Sequence, residues 1–166
     1  LKKLFLFFNL ILFICLLISY NFKNIYLNYF TTSKDKNGNS YLIKYENFSY
    51  YGNLKVVGIQ PSYNNIISFY KLYQNGTTQN TIDLNGKSLS TYTYILNALS
   101  QYSAKGDALI LGFGGGIVPK ELTKTNFNVD VVEINPATLR IAEKFFKYKK
   151  KDTNFFFEDA RTFVKE

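Results

Sequence analysis

A chain of 166 residues has room for one ordinary domain and a small appendage. It contains no histidine and a single cysteine, Cys15, which excludes a Ser-His-Asp triad, a Cys-His pair, a zinc site of the usual His/Cys kind and any disulfide within the chain. The formal net charge of +8 would suit nucleic acid or an anionic membrane surface. Much of that excess, however, sits in Lys144, Lys147, Lys149, Lys150 and Lys151, interleaved with Phe145, Phe146 and Tyr148. That pattern reads as the solvated face and end of a helix, where cations also suit the dipole. No nucleic-acid motif accompanies it, so no nucleic-acid partner is expected.

The chain opens on an apolar run. Leu4 to Tyr20 is interrupted only by Asn9 and Ser19, with Lys2 and Lys3 ahead of it. Its length is at the short limit for a helix crossing a hydrocarbon core of ~30 Å. The segment Ile18 to Phe22 is a poor cleavage site, so residues 1–22 are expected to be an uncleaved transmembrane anchor, the side of the membrane being left open. Residues 23–39 are a polar and aromatic connector that ends in a turn around Asn37-Gly38.

From Ser40 the pattern becomes short β-like runs. Residues 41–45, 54–59 and 66–73 are expected strands, and Asn75-Gly76 and Asn85-Gly86 are hairpin signals, because both residue types tolerate positive φ. Residues 40–90 are therefore expected to form a small antiparallel β domain. Thr91 to Tyr102 reads as a helix with Tyr94, Ile95, Ala98 and Leu99 at core-like spacing.

Residues 91–166 continue as an alternating series. Strands are expected at 108–111, 129–134 and 154–157, helices at 118–125 and 136–147, and a further helix from Ala160. Strands separated by helices of this length imply a parallel sheet with right-handed crossovers. The expected fold class is thus α/β: an N-terminal transmembrane helix, a small antiparallel β domain, and a truncated Rossmann-like parallel sheet of the methyltransferase type. The chain begins at Leu1 and stops at Glu166, soon after a strand, and is expected to be a fragment.

Three strand ends carry the candidate chemistry. The first runs into Gly112-Phe113-Gly114-Gly115-Gly116; the second ends in Glu133, seventeen residues beyond Gly116; the third ends in Glu158-Asp159. A sheet of this kind binds ligands at its carboxyl edge. Glycines bring a ligand close to the main chain, a carboxylate after the second strand can accept from both ribose hydroxyls, and an acid after the third can accept from an exocyclic amine. Asp159 alone would read as a helix N-cap, and both roles are compatible. The spacing Gly-x-Gly-Gly-Gly, followed by Ile117-Val118-Pro119, differs from the dinucleotide pattern Gly-x-Gly-x-x-Gly and favours a single nucleoside over a pyrophosphate.

The segments Leu109-Ile-Leu-Gly-Phe-Gly-Gly-Gly-Ile-Val-Pro-Lys-Glu-Leu122, Val129-Asp-Val-Val-Glu-Ile-Asn-Pro136 and Glu158-Asp-Ala-Arg-Thr-Phe163 resemble the polyamine synthase family, in particular the spermidine-synthase-like domains of membrane-associated proteins. Gly76-Thr77-Thr78-Gln79 matches the Gly-x-x-Gln of that family, and the resemblance covers roughly residues 45–166. It implies an aminopropyltransferase architecture. Decarboxylated S-adenosylmethionine, or S-adenosylmethionine itself, would be the co-substrate. It would lie over Gly112, Gly114 and Gly116, with Glu133 on the ribose, Asp159 and Ala160 at the adenine, and Gln79 reaching in from the small sheet. A polyamine would be the acceptor. The family usually carries Asp where this chain has Gly115, and Tyr-His-Glu where it reads Tyr92-Thr93-Tyr94. Its catalytic Asp follows a fourth strand, so no catalytic residue and no metal ligand is assigned here. Two other readings stay open: an S-adenosylmethionine-dependent methyltransferase, and a membrane-tethered module that binds a nucleoside without catalysis.

Overall fold

The computed structural model describes residues 11, 15, 32–104, 106–150 and 153–165. The anchor read at 1–22 falls outside these except for Ile11 and Cys15, which are helical and exposed. Among the described residues no helix is long and apolar enough to cross a membrane.

Five strands form an antiparallel meander in chain order: β1 (Thr32–Lys34), β2 (Ser40–Ser49), β3 (Gly52–Gln60), β4 (Phe69–Gln74) and β5 (Thr77–Asp83). The sheet thus begins inside the stretch read as connector, where Thr32 to Lys34 pair with Leu42 to Ser40. The β4–β5 turn is the expected two-residue hairpin, with Asn75 at φ 50° and Gly76 at φ 80°. At the second Asn-Gly only Gly86 has positive φ, and the Asp83 carboxylate holds that turn by accepting from the amides of Asn85 and Lys87. The strand expected from Ile66 starts three residues later. Asn64 donates to the Pro61 carbonyl and its side chain accepts from the Ile66 amide, which makes a turn of the segment before Phe69.

The second half alternates helix and strand: α1 (Thr91–Gln101), β6 (Asp107–Leu111), α2 (Ile117–Lys124), β7 (Asn128–Val132), α3 (Ala137–Phe145), β8 (Thr153–Phe156) and α4 (Ala160–Phe163). The three strands are parallel in the order β6-β7-β8, so their carboxyl ends lie side by side. β7 is central, and Val131 and Val132 are fully buried.

Helix α3 joins the two halves because it is apolar on two sides. Ala137 and Ile141, with Phe146 just beyond, pack with Ile117 of α2 on Leu54, Val56, Leu72 and Ile82 of the antiparallel sheet. Leu139 and Ala142 pack on Val129 and Val131 of the parallel sheet, together with Phe113 and Tyr148. Each fully buried Leu or Ile in these clusters contributes roughly 1.5–3 kcal/mol. The lysine-rich tail of α3 follows the expected division: Phe146 and Tyr148 are buried, while Lys144, Lys147, Lys149 and Lys150 are exposed.

One expectation fails. The apolar spacing in α1 does not mark a core face, since Tyr94, Ile95 and Leu99 are 48%, 56% and 59% exposed and the buried residues are Thr93 and Ser100. The helix rests on α2 through its polar side, and no described strand covers its apolar one. The neighbouring edge strand β6 likewise leaves Leu109 and Leu111 about half exposed.

Candidate functional site

Glu133 stands one residue past β7, and only 8% of it is exposed. Its backbone N–H donates to the Phe156 carbonyl, which extends the ladder to β8 beyond the strand end. The side chain turns the other way, toward the glycine loop: Oε2 accepts the Phe113 N–H and Oε1 the Asn135 N–H, both at 2.8 Å. Asn135 is itself buried. Its Oδ1 accepts from the Ala137 amide at the start of α3, and its carbonyl accepts from Thr138 Oγ1. The amides of Asn135, Ala137 and Thr138 thus all find an oxygen within the segment 133–138.

The loop above it is fixed as firmly. Gly112, Gly114 and Gly116 all have positive φ, a backbone that side-chain-bearing residues rarely adopt. Between them Phe113 turns inward, 5% exposed, and meets Tyr148 and Phe155 edge to face with centroids 4.9 and 5.0 Å apart. Gly116 must also be small, since a Cβ there would lie 2.6 Å from the Phe113 ring. The loop amides are largely committed inside the protein: Gly112 to the Val132 carbonyl, Phe113 to Glu133, Gly115 to Asn80, and Gly116 to the Phe113 carbonyl. A phosphate cradle needs such amides turned toward the ligand. In this loop those four amides are turned to acceptors within the protein.

The antiparallel sheet closes the site from the other side through Asn80. This residue is 2% exposed on the apolar face of β5, opposite Leu72. Its Oδ1 accepts the Gly115 N–H and its Nδ2 donates to the Tyr92 hydroxyl, which in turn donates to the Gln79 carbonyl at 3.3 Å. Burial pushes the Tyr92 phenol above its ordinary pKa, against a smaller lowering from the Asn80 bond. A side chain at position 115 has no room, because a Cβ on Gly115 would lie 2.9 Å from both Asn80 Oδ1 and Phe146 Cδ1.

These elements enclose a cleft of about 360 Å³, lined by Gln74, Gln79, Asn80 and Tyr92 on one side and by Gly112, Phe113, Gly114, Ile117 and Glu133 on the other. Of the residues singled out from the sequence, Gln79, Gly112, Gly114 and Glu133 therefore share one hollow. Gly116, Asp159 and Ala160 do not line it. Asp159 caps its own short helix, accepting the Arg161 N–H at 2.8 Å, and its carboxylate forks with the Arg161 guanidinium at 3.3 and 3.2 Å. The Arg161 side chain, seconded by its amide, holds the Asp159 carboxyl below the usual range. Thr93 points away from the cleft, bonded to Ser88 Oγ and the Ser90 carbonyl. Sequence reasoning missed Asn80 and Phe113. An Asn in the inward-facing register of β5 was the available signal for the first, and an aromatic between two glycines for the second.

No family model matches the chain. Over 60 residues it is 38% identical to the polyamine aminopropyltransferase of Vibrio vulnificus (strain CMCP6), a stretch that amounts to 34% of this chain and 20% of that protein. Two solved structures resemble its fold: a spermidine synthase in complex with the transition state analogue AdoDATO, and spermidine synthase from Thermotoga maritima. Each has a TM-score of 0.57 at 16% identity, over 74% of this chain and 42% of that one. The chain thus spans less than half the length of these relatives.

Proposed function

We propose that this spermidine-synthase-like chain binds the adenosine portion of S-adenosylmethionine or its decarboxylated form, as the co-substrate half of an aminopropyltransferase. The observation that carries the reading is the Glu133 carboxylate, buried at the tip of the central parallel strand and opening on the cleft. An ionised carboxylate has about four lone-pair directions, and the two amides use two of them. The others remain for the vicinal hydroxyls of a ribose, and a carboxylate already held by two amides needs no reorganisation to accept them. Gln79 from β5 and Tyr92 from α1 supply polar contacts across the cleft. The similarity to a spermidine synthase crystallised with AdoDATO supports the same ligand class.

In aminopropyl transfer an amine attacks the methylene carbon beside the sulfonium. A C–N bond forms as the C–S bond breaks, methylthioadenosine leaves, and a base takes the amine's proton. No residue of this chain is assigned as that base. Gly115 has no carboxylate, Thr93 is turned to Ser88, and Asp159 would have to leave Arg161 to meet an adenine amine. The first two features favour the second reading, a module that keeps nucleoside binding without transfer. The apolar run ahead of residue 22 supports an N-terminal membrane tether in either case.

Calorimetric titration of the chain in mild detergent separates the outcomes. The reading expects S-adenosylmethionine, its decarboxylated form and methylthioadenosine to share one site and compete with each other. Binding of none of the three would refute it. Binding accompanied by aminopropyl transfer to putrescine would remove the non-catalytic alternative.

A further inference from the structure

A second hollow, of about 530 Å³, lies between α1, the Asn85–Ser88 turn and another face of α2. Lys87, Lys120, Lys124 and Lys147 line it together with one carboxylate, Glu121. That carboxylate is taken by Lys124, at 2.8 and 3.0 Å. The other nearby acid, Asp83, is turned into its own loop, where it accepts the amides of Asn85 and Lys87. Among the described residues Lys87, Lys120 and Lys147 have no carboxylate within ion-pair distance.

The lysines converge because of a specific local build. Gly86 has no side chain, and a Cβ there would lie 2.9 Å from Lys147 Cγ and 3.6 Å from Lys120 Nζ, so two cationic side chains meet across it. Lys147 reaches it from a backbone with φ 55°, a region costly for a residue with a side chain and kept only where surroundings over-determine it. The Lys120 stem is half-buried under the turn, and its Nζ donates to the Gly86 carbonyl at 2.8 Å. Removing an ammonium from water without a counter-ion is unfavourable, and burial accordingly lowers the Lys120 pKa.

We propose that this hollow binds a phosphoryl group, carried by a small phosphate-bearing molecule or by a lipid headgroup. Two lysine side chains that meet at Gly86, with Lys87 also lining the hollow, match a multiply charged tetrahedral anion better than a single carboxylate, and lysine binds phosphate as a point charge. The hollow is separate from the glycine-loop cleft, and the proposal stands whether or not a nucleoside binds there.

The test uses the full chain in mild detergent with inorganic pyrophosphate as the probe, against chloride at matched ionic strength. A parallel arm measures co-sedimentation with phosphatidylcholine vesicles with and without phosphatidic acid. Pyrophosphate binding should weaken at least tenfold in Lys120→Gln/Lys147→Gln and stay unchanged in Lys144→Gln, which lies outside the hollow. A gain in sedimentation with phosphatidic acid that the double variant loses, without pyrophosphate binding, assigns the phosphoryl group to a lipid. A readout on the unmodified chain covers a variant that does not fold: pyrophosphate or phosphatidic acid vesicles should slow acetylation of Lys120 and Lys147 by acetic anhydride and leave Lys144 unaffected. Neither probe protecting these lysines, or the folded double variant binding as well as the original, overturns the proposal.

Discussion

The tips of β7 and β8 are neighbours in one parallel sheet, and each is followed by acidic residues, yet Glu133 and Asp159 end up in different kinds of environment. Glu133 accepts an amide from a loop 20 residues away and is almost wholly buried. The Asp159 side chain bonds Arg161, two positions away, and is 35% exposed. The difference follows from strand order. β7 has a neighbour on each side, so its tip is roofed by the glycine loop after β6 and walled by Asn80 from the antiparallel sheet. Among the described residues β8 has a strand neighbour on one side only. Among the described strands, the acid after the one with two neighbours is the enclosed one.

The strongest way to break that contrast is Glu133→Ala. It strands two buried amide donors, and at about 1–3 kcal/mol each the chain should lose roughly 2–6 kcal/mol of stability in denaturant titrations. Nucleoside affinity should fall at least tenfold, since a hydrogen bond to a charged group is worth about 1.5–3 kcal/mol. Next comes Gly115→Asp, which restores the family's residue into a space held by Asn80 and Phe146. Overpacking should cost about 1–3 kcal/mol. Combining it with Asn80→Ala should cost less than the two changes summed, because the added side chain then occupies vacated room, and a double-mutant cycle reads that coupling. Tyr92→Phe should be milder, about 0.5–1.5 kcal/mol for a lost hydroxyl partner. It also carries a pH signature. The folded-state Tyr92 pKa is raised by burial, so its contribution is fully present below the unfolded value near 10 and is lost as pH rises past it. The phenylalanine variant should lack that alkaline loss. Asp159→Asn should be the smallest effect, showing near neutral pH and vanishing in acid. The depressed Asp159 pKa gives stability present above the unfolded carboxyl value and lost as pH falls through the folded one, so the amide variant should flatten that limb of a thermal melt series while leaving nucleoside affinity unchanged.

What could be read from the chain beforehand divides along the same line. The parallel strands, the glycine loop, the Asn75-Gly76 hairpin and Glu133 were all legible, because each rests on local periodicity or on a fixed spacing after a strand. Asn80 was not, since its importance comes from the Gly115 amide, 35 residues away. The engagement of Asp159 was half legible: its capping role follows from Ala160-Arg161-Thr162, but the fork of its carboxylate with the Arg161 guanidinium is visible only in the fold. The α1 misreading has a different cause. Apolar spacing predicts a face that seeks burial, whereas burial itself needs a covering element, and Ile95 and Leu99 find none among the described residues. Gly115 departs from the resembling family, and only the positions of Asn80 and Phe146 show why no side chain fits there.

The most direct measurement is a calorimetric titration of methylthioadenosine into three chains: the original, Glu133→Gln and Asp159→Asn. Binding that weakens at least tenfold in the Glu133 variant, while the Asp159 variant matches the original, is the predicted result. Equal affinity in the original and the Glu133→Gln chain, with both folded, would contradict a nucleoside held at the tip of β7.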